Sequence, residues 1–190
     1  MVSPITRVLR LLVCATATAS AIDFTPIVPA NDPPRMLRFP RLLFKDGDRT
    51  VAYVRPAGWQ FSGSKAGIRL EASDPSHSIA TIQEVPCKTP PRFDEPSIEA
   101  LKTALLAALP PDSSHVQIMH LEKNPLLING CETLEITVAY YALTLDRTES
   151  VLFVNLPQSQ LQFTLNTLKS DFATAHELFR RSYYTWQWLD

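Results

Sequence analysis

A chain of 190 residues with a net charge of −1 is long enough for one domain with a short appendage, and it lacks the Lys/Arg-rich face that nucleic acid requires. Its apolar fraction of 45% and charged fraction of 19% are those of a globular protein and exclude disorder over the whole chain. The five glycines fall singly between apolar runs, against sixteen prolines, so no Gly-rich loop is available to cradle phosphate.

Residues 1–21 read as a signal peptide. Arg7 and Arg10 supply the positive start, Leu11-Leu12-Val13-Cys14-Ala15 opens an apolar stretch, and Ala19-Ser20-Ala21 offers the small residues a signal peptidase requires, which puts cleavage before Ile22. The stretch is shorter than the ~20 apolar residues that span a bilayer, and no later segment is long and apolar enough to do so. Two other readings stay open. Cys14 is placed for lipoprotein acylation by Leu11, though Val13 is larger than such sites accept, and the N-terminus could stay uncleaved. The expectation is an exported chain, periplasmic or secreted. Removal of residues 1–21 takes Cys14 and leaves Cys87 and Cys131, an even pair that suggests a disulfide in an oxidising compartment; two separate buried thiols are the alternative.

Residues 22–40 carry Pro26, Pro29, Pro33, Pro34 and Pro40, a density that prevents helix and interior strand, so an extended arm is predicted with the domain, 41–190, after it. Leu42 to Lys45 and Thr50 to Arg55 flank Asp46-Gly47, the signal of a hairpin. Pro56-Ala57-Gly58-Trp59 closes the second run. Ile68, Leu70 and Ala72 alternate with charged residues, and Ile79 to Val85 follows as a further strand. After a Pro-rich loop over 86–96, Ser97 is a plausible N-cap for a helix whose Ile98, Leu101, Leu105 and Leu109 form one stripe, stopped by Pro110-Pro111. Strands are predicted at 116–121, at 126–128 before the Asn129-Gly130 turn, at 134–141, at 151–156 and at 161–165. A last helix from Ser170 or Asp171 carries Phe172, His176, Phe179, Tyr183 and Trp186 on one face. Strands joined by short turns pair antiparallel, with two helices to cover them: an α+β fold.

This order of parts resembles the PsbP-like superfamily: Pro56-x-Gly58-Trp59 after the first strands, the long strands after Asn129-Gly130, and a closing helix with Ser182 and Trp186. The resemblance covers about residues 42–189. That group includes the extrinsic PsbP protein of photosystem II, a Ran-binding nuclear import factor and many exported bacterial proteins of unknown role. It implies an α/β/α sandwich on a central antiparallel sheet, a role in docking or assembly, and no catalytic residue set to carry over.

Motifs for chemistry are sparse. Ser62-Gly63-Ser64-Lys65 matches a Ser-x-x-Lys spacing, but the glycines around it deny the helix that would put the two side chains on one turn. His115 and His120 are expected on opposite faces of a strand, His77 in a turn, and His176 at the core margin with one nitrogen hydrogen-bonded. Cys131 opens a strand, not the helix N-terminus that activates a thiol. No catalytic residue, metal site or cofactor is implied. The expected function is a non-enzymatic protein-binding or assembly module with a protein partner, the alternatives being a small-ligand or lipid carrier with a cavity between sheet and helix, or an enzyme without recognisable motifs. On the last helix, Tyr184 and Trp188 fall opposite the apolar face, beside Glu177 and Arg181. Tyr184, Trp188 and Arg181 are the candidate docking patch, unless the Pro-rich arm folds back over the two aromatics.

Overall fold

The computed structural model describes residues 22–27, 41–74, 76–87 and 92–189. The signal-peptide reading with Cys14 and most of the Pro-rich arm therefore lie outside the described residues. The elements in chain order are β1 (Arg41–Asp46), β2 (Arg49–Val54), β3 (Trp59–Ser64), β4 (Gly67–Ala72), β5 (Ile79–Pro86), α1 (Glu95–Ala108), β6 (Ser114–Lys123), β7 (Thr133–Ala142), β8 (Leu145–Asn155), β9 (Ser159–Leu168), α2 (Phe172–Tyr183) and β10 (Gln187–Leu189).

Seven strands form one sheet in the order β3-β4-β5-β9-β8-β7-β6, and three form a second in the order β1-β2-β10; the pairings are antiparallel. The large sheet is two meanders, β3-β4-β5 and β6-β7-β8-β9, joined where β9 returns to pair with β5. Its central strands are buried on both faces: β7 is buried at every position but Tyr141 and β9 almost throughout. On the first face Ile68, Leu70, Ile82, Leu161, Phe163, Leu165, Leu152 and Val154 pack with Phe179 and Tyr183 of α2 and with Phe44, Val51 and Tyr53 of the small sheet. On the second face Leu134, Ile136, Val138, Tyr140, Val151 and Phe153 pack with Leu105 of α1 and with Leu109, which caps its C-terminus.

Antiparallel β-structure with two helices is thus present, but the fold is more β-rich than the predicted helix-flanked sandwich. One helix covers part of each face, and the small sheet does the work of a layer on the first. Three stretches account for the difference. Trp59–Ser64, of which only Trp59 is read from the sequence, as the close of the preceding strand, is itself edge strand β3; residues 145–150 lengthen β8; and the chain after Tyr183 leaves the helix through a turn into β10. There Ser182 Oγ donates to the Phe179 carbonyl at 2.5 Å and Thr185 Oγ1 donates to the Ser182 carbonyl at 2.7 Å, local bonds that compete with helix continuation. Thr185 Oγ1 also accepts from Val54 N–H at 2.8 Å, which steers the chain onto β2. The predicted strand at 126–128 reduces to an isolated bridge between Ile128 and Cys131 around the Asn129-Gly130 turn, both turn residues having positive φ.

The start of the domain also moves. Residues 22–27, placed in the arm by their proline, belong to the core: Ile22 and Phe24 are each 1% exposed, and Asp23 and Ile27 donate backbone bonds to Lys45 and Leu43 of β1. α1 is capped by Asp94, not Ser97; Asp94 Oδ1 accepts from Ser97 N–H at 3.0 Å and Pro96 occupies the first turn.

Candidate functional site

Polar side chains gather at two places on the β7–β8 end of the large sheet. On the first face the apolar row gives way to Thr133, Glu135 and Thr137 of β7 opposite Val154, Leu152 and Ser150 of β8. Glu135 is 2% exposed, and its Oε1 lies 2.6 Å from His176 Nε2 of α2 and accepts from Ser150 Oγ at 2.9 Å; Thr137 Oγ1 donates to Ser150 Oγ at 3.3 Å. Phe172 stacks on the His176 ring with centroids 4.9 Å apart. Burial by itself would raise the Glu135 pKa, but the His176 bond and charge, the Ser150 bond and the nearby Arg180 outweigh it and hold the carboxyl below the usual range. The order of contacts sets what this group can do. Serine is activated by a histidine that accepts its proton; here Ser150 donates to the carboxylate, which stands between serine and histidine. The network therefore ties α2 to β7 and β8.

On the second face Asn166 of β9 links three residues. Its Nδ2 donates to Tyr140 Oη at 2.5 Å and to Glu149 Oε2 at 2.8 Å, and its Oδ1 accepts from Arg147 Nε at 2.7 Å. Burial pushes the Glu149 carboxyl up in spite of Asn166 and Arg147, and raises the Tyr140 phenol, with the Glu149 charge adding to it. This cluster stands just behind the β7–β8 turn. The turn residues Leu143 and Thr144 have φ of 51° and 66°, a two-residue turn whose backbone suits Asn or Gly. Around it Tyr141, Leu143 and Leu145 are exposed, and edge strand β6 beside them exposes Val116, Met119 and Leu121. Ser114 of β6 is opposite Tyr141, the Tyr141 ring meets His115 edge-on at 6.3 Å, and Asp112 Oδ2 accepts from Leu143 N–H at 3.4 Å.

The predicted docking patch is divided. Tyr184 is 59% exposed beyond the end of α2, and Arg181 is exposed and ion-paired with Glu177 at 2.9 Å. Trp188 is not on that helix face: in β10 it packs against the core, its Nε1 donates to Asp46 Oδ2 at 2.7 Å, and the Arg49 guanidinium lies 5.7 Å over its ring. The predicted Cys87–Cys131 disulfide is not formed. Cys87 follows β5 and donates its N–H to the Gln158 carbonyl, whereas Cys131 precedes β7. Strands β9 and β8 stand between, a gap of roughly 14 Å at ordinary strand spacing against the ~7 Å a disulfide can span. Burial raises the Cys131 thiol, which makes it a poor nucleophile.

Ser62 and Lys65 lie in β3 and its turn, away from any helix. Two register shifts interrupt β6, so simple alternation does not place its histidines; His120 Nε2 is 3.2 Å from Glu122 on the same strand. Among the described residues no group of three His, Cys, Asp or Glu is placed to hold a metal ion. The space between the first face and α2, where a carrier would hold its ligand, is filled by Phe163, whose ring centroid lies 5.1–6.4 Å from those of Tyr183, Trp186 and Phe179. Within it Tyr183 Oη and Trp186 Nε1 are buried without a hydrogen-bond partner among the described residues.

Sequence reasoning placed His176 at the core margin with one nitrogen hydrogen-bonded, as it is, but missed its partner Glu135 and the whole of the second group. Glu135 sits in the second row of an alternating strand, which reads as solvent-facing until the strand is known to be covered on both sides. Glu149 and Arg147 belong to the part of β8 not read as strand. A positive signal for the turn existed in its length alone, because Leu143-Thr144 carries none of the usual turn residues.

No known family profile matches the sequence, and no curated protein sequence does. The solved structures do yield matches. The solution structure of cyanobacterial PsbP from Synechocystis sp. PCC 6803 is similar over 93% of this chain and 98% of its own length, with a TM-score of 0.51 at 12% identity. A Pseudomonas aeruginosa protein of unknown function covers 71% of this chain at 16% identity, with a TM-score of 0.44, too low to support an argument. The fold is that of PsbP.

Proposed function

We propose that this chain, sharing the PsbP fold, is an exported, non-enzymatic module that docks another protein through the corner made by β6 and the β7–β8 turn. Fold likeness alone is associational, so the reading rests on one observation. Six of the nine exposed large hydrophobics among the described residues, Val116, Met119, Leu121, Tyr141, Leu143 and Leu145, lie on these adjoining elements. Single exposed apolar residues are ordinary; six of them strung along one edge of the sheet, from Leu121 opposite Ile136 to the turn beyond Tyr141, are not. The turn supports the same reading, because Leu143 is held at positive φ and 56% exposed, a conformation that costs free energy and gains nothing from burial. Export is supported by Arg7, Arg10 and Ala19-Ser20-Ala21.

The occupant is a partner presenting an apolar ridge to this corner. Two bulges in β6 break the continuous ladder that strand addition needs, so recognition is by side chains. Photo-crosslinking in the source cell tests it. A crosslinker at Leu143 or Met119 is expected to give one discrete protein adduct that the same group at Lys65, on the β3–β4 turn, does not give. Equal labelling from all three positions overturns the reading. A small molecule retained in native mass spectra, with no adduct, replaces it with the carrier.

A further inference from the structure

We propose that processing before Ile22 creates an α-ammonium group that Glu84 is placed to hold, so that removal of the leader completes the fold. Ile22 N–H donates to Glu84 Oε2 at 2.7 Å, and Ser159 Oγ donates to the other carboxylate oxygen. The Ile22 side chain is buried in the core at 1% exposure, so the backbone nitrogen is fixed there and does not sample solvent as a loose terminus does.

The position of Glu84 gives the pairing its reason. Along β5, Ala80, Ile82 and Glu84 stand opposite Leu165, Phe163 and Leu161 of β9, all on the first face. Glu84 is thus the inward residue of a strand whose other inward residues are apolar core. Glu84 itself is half-buried and accepts from two neutral donors, so its charge is partly desolvated and a cation at the Ile22 nitrogen would be favoured over an amide. Among the described residues no Lys, Arg or His is ion-paired with it. An unprocessed chain offers it an amide at Ile22; a chain cut after Ala21 offers an ammonium at the same atom, without rearrangement. The other charged groups around Ile22 are accounted for. Asp23 turns its carboxylate to Thr25 N–H, Lys45 accepts the Asp23 N–H on its carbonyl while its side chain is exposed, and the Lys65 ammonium is near enough to Asp23 to help hold that carboxyl low. The proposal rests on the export reading only through the site of cleavage, and makes no use of the docking corner.

Two measurements test it separately. The intact mass of the exported protein is expected to correspond to a chain beginning at Ile22; a different start overturns the proposal. Unfolding is then compared for chains beginning at Ile22 and at Ala19, each with Glu84 and with Glu84→Gln. The Ile22 chain is expected to be more stable at pH 7 by roughly tenfold in its unfolding equilibrium, the difference between a charged and a neutral hydrogen bond. Pairing raises the amine above its unfolded value of about 8, so the advantage is present below that pH and lost as pH rises toward 10. Glu84→Gln is expected to remove the advantage from the Ile22 chain, so that any general cost of the substitution cancels against the Ala19 pair. An advantage that survives either pH 10 or Glu84→Gln overturns the proposal.

Discussion

His176 and Glu135 form the side-chain contact with most at stake, because Glu135 is buried and His176 is only 19% exposed. Removing the ring leaves a carboxylate inside the sheet with Ser150 as its remaining donor. His176→Ala is expected to cost about 2–3 kcal/mol in urea unfolding at pH 7, less than a fully buried pair because the histidine is partly solvated. A carboxyl held below its ordinary value contributes stability that is present above about pH 4.3 and is lost as pH falls through the folded value. Glu135→Gln is therefore expected to flatten the acid limb of the stability curve, read as a smaller loss between pH 5 and pH 3 than the parent shows. The two C-terminal aromatics, alike in the sequence, should separate in the same assay. Tyr184→Ser is expected to change stability by no more than about 0.5 kcal/mol, whereas Trp188→Ser loses packing and the bond to Asp46, at about 2–3 kcal/mol. Helical periodicity could not distinguish them, since what moves Trp188 inward is a strand partner 137 residues earlier, Val51.

Elements with strong local signals were legible. The β1–β2 hairpin is marked by Asp46-Gly47, and α1 by its stripe and by Pro110-Pro111. Less legible were elements defined by distant partners: β3 has weak strand composition, Gln-Phe-Ser-Gly-Ser, and exists because β4 pairs with it, while β10 exists because β2 has an open side. The β7–β8 turn shows the opposite conflict, a two-residue tip that holds Leu143 and Thr144 at positive φ against their local preference. Leu143→Gly removes the steric cost of positive φ, which is about 1 kcal/mol or more for a residue with a Cβ. It is expected to raise the stability of the isolated protein by about that amount while abolishing the crosslink from Met119. A fall in stability would mean that Leu143 makes contacts that offset its backbone conformation.

At the scale of the whole molecule, the domain is held together by pieces far apart in sequence, and residues 22–27 show this best. Ile22 and Phe24 are buried beside the small sheet, the Phe24 ring lying 5.8 Å from that of Phe44 and 6.4 Å from that of Trp186, and Gly63 of β3 is so close that a Cβ there would collide with the Phe24 carbonyl oxygen. Gly63→Ala is expected to destabilise the chain beginning at Ile22 by about 1–3 kcal/mol. Deleting 22–27 forfeits the burial of two large side chains, about 3–6 kcal/mol, and in that shortened chain Gly63→Ala should be nearly silent, because nothing remains for the methyl group to meet. Equal cost in both backgrounds would place the strain elsewhere. The overall order of parts was readable, and with it the likeness to PsbP. What the amino acids did not disclose was that a proline-bearing stretch would be core, since proline excludes a residue from a ladder but not from a hydrophobic interior.

The return of β9 to the middle of the large sheet has a consequence for when this protein can fold. Gln83 on β5 meets Gln162 on β9 across 79 residues, and Val54 meets Thr185 across 131. Until the chain is complete past Leu168, β5 has no neighbour on its inner side and the first meander has no lid. Contacts of such span form slowly, because the loop between them must close first. In a nascent chain of this topology the local hairpins can form early, but the two meanders cannot join into one sheet before β9 has been made.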